Sequence, residues 1–413
     1  MKPVNFPEGF VWGSATAGHQ VEGDNIHSSS WHNEIKGHCP EPSGKACNFW
    51  NLWKQDFAML SELKHRMFRM SIEWSRIEPE EGRHDEEALN RYLAMFGELK
   101  KRGIKLCLTL HHFPQWFEEK GEFRKRENIA CFLRHLEYLI PKIAQYVDLW
   151  NIFNEFNNGD SWQLYDRKTN CLIAHAKAAA LIRAHSQAPV STAHAMTPYF
   201  PANPDDEFDI ARTRITNWVV NDFFYHAVRT GEILFPYRDA VEVPELKGSC
   251  DFWAINYYTR HFVTARNASG TAPRYECHRI RPIKNDFYLE EFYPQALVDG
   301  LCRLKDLPVY ITENGFCCDD DRLRILYVGR HLQALNEAIQ RGCDIRGYLY
   351  WSLMDNFEWW SFVPRFGMVG VDFKTFERTP KPSAYLYREI IERNGLDREL
   401  ILKYLPEFRD WKI

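Results

Sequence analysis

Glu155 and Glu313 stand in matching settings. Each follows a short apolar run (Val147–Phe153 and Val309–Thr312), and each has an Asn beside it, in Asn154-Glu155 and Glu313-Asn314. Two carboxyl groups in one site can divide acid and base work. Breaking a glycosidic bond needs one protonated carboxyl to release the leaving oxygen. It needs a second, ionised one to attack or to activate water. Other apolar runs also end in polar residues: His19-Gln20 and Glu22, then Arg69 with Glu73, then His111-His112. Later come Asn256-Tyr257-Tyr258, and Trp351 followed by Asp355, Asn356, Glu358 and Trp359. Arg69 lies inside an apolar run. Pointing inward, it would hold a neighbouring carboxylate ionised, and burial beside that charge would raise the pKa of the other carboxyl. Plainer readings stand beside these. A Glu after a strand is usually a loop carboxylate, Arg69 and Glu73 can form a structural ion pair, and His111 and His112 can be one core and one surface imidazole.

The elements that must position these residues alternate. Apolar runs at Phe10–Ala17, Met67–Trp74, Lys105–His112, Val147–Phe153, Val190–Ala195, Asp251–Thr259, Val309–Thr312 and Ile345–Leu353 read as eight strands. They are continuously apolar, as buried parallel strands are. Between and after them, helices are expected at Phe49–Leu63, Asp85–Lys101, Asn128–Tyr146, Asn170–Ser186, Ile215–Thr230, Pro294–Lys305, Arg322–Arg341 and Pro382–Asn394, from apolar residues at helical spacing. Eight strand–helix units predict a closed (β/α)8 TIM barrel of the α/β class, with its active groups where strands end and loops begin. Thr197–Arg214, partly helical, and Arg260–Phe292 are expected as long loops. No Pro/Gly/Ser-rich linker divides the chain, so residues 1–413 read as one domain.

Bulk properties narrow the function. A net charge of −4, from 52 basic and 56 acidic residues, gives no support for a nucleic-acid or membrane partner. No apolar run reaches membrane-spanning length, and the N-terminus lacks a signal-peptide core. Eleven Cys without framework spacing read as reduced thiols in a cytoplasmic protein, which makes the sequon at Asn267 irrelevant. No nucleotide-binding, serine-hydrolase or H-E-x-x-H motif occurs, so no cofactor and no metal is expected. Aromatic residues make up 15% of the chain, with 14 Trp. Most of these belong to the core, and three to five are expected to line a sugar site.

The motifs then point to a family. Phe6–Gly23 (F-P-E-G-F-V-W-G-S-A-T-A-G-H-Q-V-E-G), Phe68–Pro79 and Leu108–Trp116 resemble the opening motifs of glycoside hydrolase family 1, the β-glucosidase family. Asn151–Phe156 (N-I-F-N-E-F) resembles its acid/base motif and Tyr310–Gly315 (Y-I-T-E-N-G) its nucleophile motif. Ile255–Thr259 and Tyr350–Trp359 match two more, so the likeness runs in order from about residue 5 to 394. The resemblance implies a retaining β-glycosidase acting on a small-molecule β-glycoside. Glu155 would be the general acid/base and Glu313 the nucleophile. Asn154 would bind the sugar 2-hydroxyl, Arg69 and Tyr258 would orient Glu313, and Asn256 would support the same face. Gln20, His112, Glu358 and Trp359 would hold the remaining hydroxyls over a Trp351 platform. A carboxylate at Glu358 would repel a 6-phosphate, so unphosphorylated sugars are expected. Two further readings share the site: a transglycosylase, and a non-catalytic sugar-binding barrel, which would need a lost carboxylate.

The chain departs from the family pattern in places. Phe156 replaces a Pro, Phe113 stands where Trp is common, and the segment after Trp359 is one residue short. Asn157–Thr169 replaces a much longer loop, which should open the leaving-group side. Cys317-Cys318, just past Gly315, read as ordinary thiols of a surface loop rather than a redox brake.

Overall fold

The computed structural model describes residues 3–265 and 291–410. Asn267 and most of the Arg260–Phe292 loop lie outside the described residues. Eight parallel strands close into a ring in sequence order: β1 (Val11–Ala15), β2 (Met67–Ser71), β3 (Lys105–Thr109), β4 (Leu149–Asn154), β5 (Val190–Ala195), β6 (Trp253–Asn256), β7 (Val309–Asn314) and β8 (Ile345–Trp351). Outside the ring lie α1 (Phe49–Glu62), α2 (Glu86–Lys101), α3 (Ile129–Ile143), α4 (Tyr165–His185), α5 (Phe223–Thr230), α6 (Pro294–Leu301), α7 (Asp321–Gln340) and α8 (Pro382–Arg393). Each predicted strand and helix is present. A ring needs β1 to pair with β8, and it does, from Val11 opposite Gly347 to Ala15 opposite Trp351.

Side chains alternate along a strand, so every second residue enters the barrel. Val11, Met67, Cys107, Leu149, Ala193, Ala254 and Leu349, with Phe252 and the ring of Tyr310, pack as an apolar plug fed by all eight strands. Two residues farther along, the same faces carry Arg69, Thr109, Asn256 and Trp351. A polar layer therefore sits directly on an apolar floor.

Near the rim two strands break the alternation; a third irregularity, Ile345 and Gly347 of β8 facing Val309 and Tyr310, lies at the other end. In β4, Asn151 and Asn154 face Ser191 and Ala193, so one extra residue is fitted in. In β7, Ile311 and Asn314 face Tyr348 and Tyr350, another insertion of one. Such bulges re-aim side chains next to active sites, and these two precede Glu155 and surround Glu313.

Most strands stop short of the apolar runs read from sequence. Met67–Trp74 gives a strand only to Ser71, followed by a short helix at Trp74–Ile77, and Lys105–His112 gives one to Thr109. Ile72 and Leu110 remain buried past the ladder, so burial outlasts strand pairing. The helix expected from Asn170 begins five residues earlier, at Tyr165. The one expected from Ile215 begins at Glu207 and passes through a wide turn at Trp218–Asp222 before α5. At the chain ends, Val4–Asn5 pair antiparallel with Gly395–Leu396.

Candidate active site

At the C-terminal rim of the barrel, a cavity of about 210 Å³ is lined by Gln20, Arg69, His112, Asn154, Glu155, Tyr258, Glu313, Trp351, Glu358 and Trp359, together with Thr16, Thr109 and Phe366 among others. Every expected site residue except Asn256 is in that lining. Asn256 lies in the same polar layer as Arg69, behind the lining, and hydrogen-bonds Arg69, Asn154, Glu155 and Thr312. A larger cleft of about 480 Å³ opens near α5 and α6, lined by residues such as Tyr199, Trp218 and Arg303, and contains none of them.

The two carboxyl groups have different surroundings. Glu313 is buried. Its Oε1 accepts from Arg69 Nη1 in a close ion pair, and its Oε2 accepts from Tyr258 Oη at 2.5 Å. Arg69 is fixed by Thr109 Oγ1 at 3.1 Å, the Thr312 carbonyl at 3.2 Å and Asn154 Oδ1 at 2.6 Å. The Arg69–Glu73 pair considered from sequence does not form. Glu73 instead accepts from Asn25 Nδ2 at 2.9 Å and the His19 amide at 3.2 Å, and burial, with Glu22 nearby, pushes its carboxyl up to about 8.

Glu155 is half-buried and meets only neutral donors, Asn256 Nδ2 at 2.8 Å and Asn158 Nδ2 at 3.0 Å. Burial, and next the charge of Glu313, pushes its carboxyl up to about 7. Asn256 was expected to serve Glu313. Its amide donates to Glu155 and Asn154, while its oxygen accepts from Thr312 Oγ1 at 2.7 Å and from Arg69 Nη1 at 3.4 Å, so it touches the Glu313 side only through Arg69. The reason is register: Asn256 pairs with Glu313 along the strands, so their side chains stand side by side and that of Asn256 reaches toward β4.

The far end of the cavity is a second cluster. Gln20 Nε2 donates to Asn356 Oδ1 at 2.8 Å and to Glu358 Oε2 at 3.1 Å, and Trp351 Nε1 donates to Glu358 Oε1 at 3.2 Å. Burial pushes Glu358 up to about 8. Among the described residues, Gln20 Oε1 and His112 Nδ1 have no hydrogen-bond partner, though Glu73 Oε1 lies 3.8 Å from His112 Nδ1. The Trp359 ring packs 5.1 Å from that of His112 and stacks at 6.1 Å on His19, which is fixed by Glu34 at 2.7 Å. His112, Glu155 and Trp359 all have left-handed backbone, with φ of 110°, 51° and 61°. Residues other than Gly held there cost about 1–3 kcal/mol each and cluster at functional sites.

The fold, this rim and the order of motifs can now be set beside known proteins. The family model "Glycosyl hydrolase family 1" matches residues 2–396. This chain belongs to glycosyl hydrolase family 1. As a family 1 member it is a retaining β-glycosidase. A 6-phospho-β-galactosidase of Streptococcus mutans is 30% identical, covering 95% of this chain and 99% of that one. Another, from Leptotrichia buccalis, is 28% identical over 94% and 98%. Among solved structures, a β-glycosidase from Pyrococcus horikoshii shares 33% identity with a TM-score of 0.86, covering 97% and 98% of the two chains. A family 1 β-glucosidase from Thermotoga maritima in complex with isofagomine lactam shares 28%, with a TM-score of 0.87 and coverage of 95% and 100%.

Several features of this family 1 site were not foreseen. Asn158 has no sequence signal, being a polar residue in a loop. Thr109 and Thr312 carry one, since each lies two residues past a plug-layer residue, Cys107 and Tyr310. Phe156 fixes its loop by packing against Phe153, Phe223 and Phe224 at centroid distances of 5.8, 5.9 and 5.8 Å. Two Trp, 351 and 359, line the cavity rather than three to five. Cys317 and Cys318 are buried, not in a surface loop as expected; Cys317 packs with Trp351 and Phe366, and burial raises the Cys318 thiol to about 11.

Proposed function

We propose that Glu155 is the general acid/base and Glu313 the nucleophile of this β-glycosidase, acting on terminal, unphosphorylated sugars. The observation that carries the assignment is the contrast just described: one carboxylate is paired with Arg69 and Tyr258, while the other, with neutral partners, is pushed up to about 7. Glu155 gives its proton to the departing oxygen as Glu313 attacks the anomeric carbon. The leaving group departs, and a covalent glycosyl-enzyme remains. Glu155, now ionised, takes a proton from water, which displaces Glu313 with a second inversion, so configuration is retained. Asn154 binds the 2-hydroxyl, and Trp351 is the platform under the ring. Gln20, His112, Glu358 and Trp359 hold the other hydroxyls; the unpartnered atoms on Gln20 and His112 favour a ligand rich in hydrogen-bonding groups, since an unpaired buried polar atom costs about 1–3 kcal/mol.

The curated relatives above act on 6-phosphates, and the cavity argues against that substrate here. Among the described lining residues the one cation is Arg69, committed to Glu313. A phosphate at the Glu358 end would meet a carboxyl group, two indoles and Phe366. The test is a panel of aryl β-glycosides with and without 6-phosphate, with the first-formed anomer followed by NMR. Hydrolysis of the unphosphorylated sugars with retention is expected, and Glu313→Gln is expected to lower turnover on the order of 10⁴-fold or more while sparing sugar binding. Inverted product, or faster cleavage of the 6-phosphates, would overturn the corresponding half of the proposal.

A further inference from the structure

Away from the sugar cavity, the segment after β2 folds back toward α3 and brings three side chains together. Glu78 follows the Trp74–Ile77 helix, His84 stands in the loop before α2, and His135 lies on the inner face of α3. One ligand atom from each, a Glu78 carboxylate oxygen and an imidazole nitrogen from each His, lies within 4.8 Å of the other two. None of the three lines the sugar cavity. Sequence spacing hides the group, because 57 positions separate Glu78 from His135.

The hydrogen bonding is incomplete in an informative way. Among the described residues, buried His84 Nε2 has no hydrogen-bond partner, and buried His135 Nδ1 has none of good geometry, facing only Glu78. His135 is 1% exposed, and its Nδ1 stands 3.4 Å from Glu78 Oε2. Ligand atoms around a tetrahedral ion with bonds of about 2.05 Å are separated by about 3.3 Å. The carboxylate is oriented by outer donors, Trp74 Nε1 at 2.7 Å to Oε2 and the Gly82 amide at 2.6 Å to Oε1. The rings are fixed too: His84 stacks on Tyr138 at 3.5 Å and His135 on Trp74 at 4.7 Å. Oriented ligands with satisfied outer partners are what metal sites require.

We propose that Glu78, His84 and His135 form a site for one divalent transition-metal ion, best matched by Zn²⁺, which ties the segment after β2 to α3. Two imidazoles and a carboxylate suit zinc, with water in the fourth position. Two cations stand near: Lys142, whose Nζ lies 3.5 Å from the centre of the Tyr138 ring that stacks on His84, and Arg134, whose Nη2 lies 3.5 Å from Glu78 Oε1 and 3.1 Å from Glu81 Oε1. The Arg134 side chain is 46% exposed, so it can withdraw to Glu81 when the ion enters. The role is structural, since the ion joins two elements without touching the reacting groups.

The experiment uses the whole protein, stripped with a chelator and titrated with ZnCl₂ by calorimetry, and with CoCl₂ by absorption. One equivalent of Zn²⁺ is expected to bind with micromolar or tighter Kd. It should raise the Tm by about 3 °C at a hundredfold excess over Kd, for a chain of this length. The cobalt spectrum should show d–d bands with no thiolate charge transfer, which separates this site from any cysteine site. His84→Gln, at a half-exposed position, should weaken binding at least tenfold while leaving kcat and KM unchanged. His226→Gln, in a surface His–Glu pair, should leave binding unchanged. No saturable one-equivalent binding, equal affinity in His84→Gln, or a thiolate band would overturn the proposal.

Discussion

At the scale of single residues, two chemically identical side chains are made unlike by what each touches. An acid catalyst works only while protonated. With Glu155 pushed up to about 7, kcat/KM should hold below that pH and fall tenfold per pH unit well above it. In Glu155→Gln, measured on an aryl glycoside whose phenol leaves unaided, that basic limb should vanish from the first step. The same environments act on stability. Glu358 and Glu73, each near 8, are raised from an ordinary 4.5, so the folded chain binds more protons than the unfolded one between those values. Their share of the stability is therefore lost as pH rises toward 8, at up to ~1.4 kcal/mol per pH unit for each group; below about pH 6.5 it is opposed by buried histidines such as His65, His175 and His331, pushed down to about 3, which bind fewer protons folded than unfolded. Urea unfolding between about pH 6.5 and 8 should show the decline, and Glu358→Gln should lessen it. Glu155, Glu313 and Arg69 could be picked out because strand ends are where a barrel places its chemistry, whereas the place of Tyr258 beside Glu313 came from the motif likeness. Glu73 could not, since nothing in its sequence setting distinguishes a buried carboxyl held by Asn25 from a surface ion pair.

At the scale of elements, the strands supply direction and the loops supply restraint. The one-residue insertions in β4 and β7 were invisible in the sequence, because a bulge changes no residue type; it appears only when two ladders are compared. The truncated segment after β4 is another case. Its shortness could be seen, but not what holds it. Lys168, buried at the start of α4, donates to the carbonyls of Asn157 at 2.6 Å, Gly159 at 2.6 Å and Val219 at 2.7 Å. Lys168→Met would leave three acceptors without their donor. Since each unpaired buried group costs about 1–3 kcal/mol, a loss of at least ~2 kcal/mol is expected by denaturant unfolding. Asn158 would lose its place too, so kcat should fall more than KM changes. An effect confined to stability would mean that the loop holds its shape without the strap.

At the scale of the whole molecule, the fold class was readable because eight apolar runs in alternation with helices admit few arrangements, and the ring closes as that count requires. Glu155 meets solvent through the exposed Asn158, in the short segment between β4 and α4. With Glu155 as the proposed acid, this is the leaving-group side, and it is expected to be the open one. Activity on aryl and long-chain alkyl glycosides of one sugar should stay within about tenfold of that on a small glycoside; rejection of the bulky ones would show that some other wall closes that side.

The pairing of β1 with β8 has a consequence for biosynthesis. Residue 11 acquires its neighbour only when residue 347 has left the ribosome. Until then the nascent sheet has two bare edges, each offering unpaired amides to any passing strand, and no partial product can hide them by folding alone. Chains released early, or stalled before the last strand, should be substrates for holding chaperones. The finished ring, having no edge left to offer, should not be.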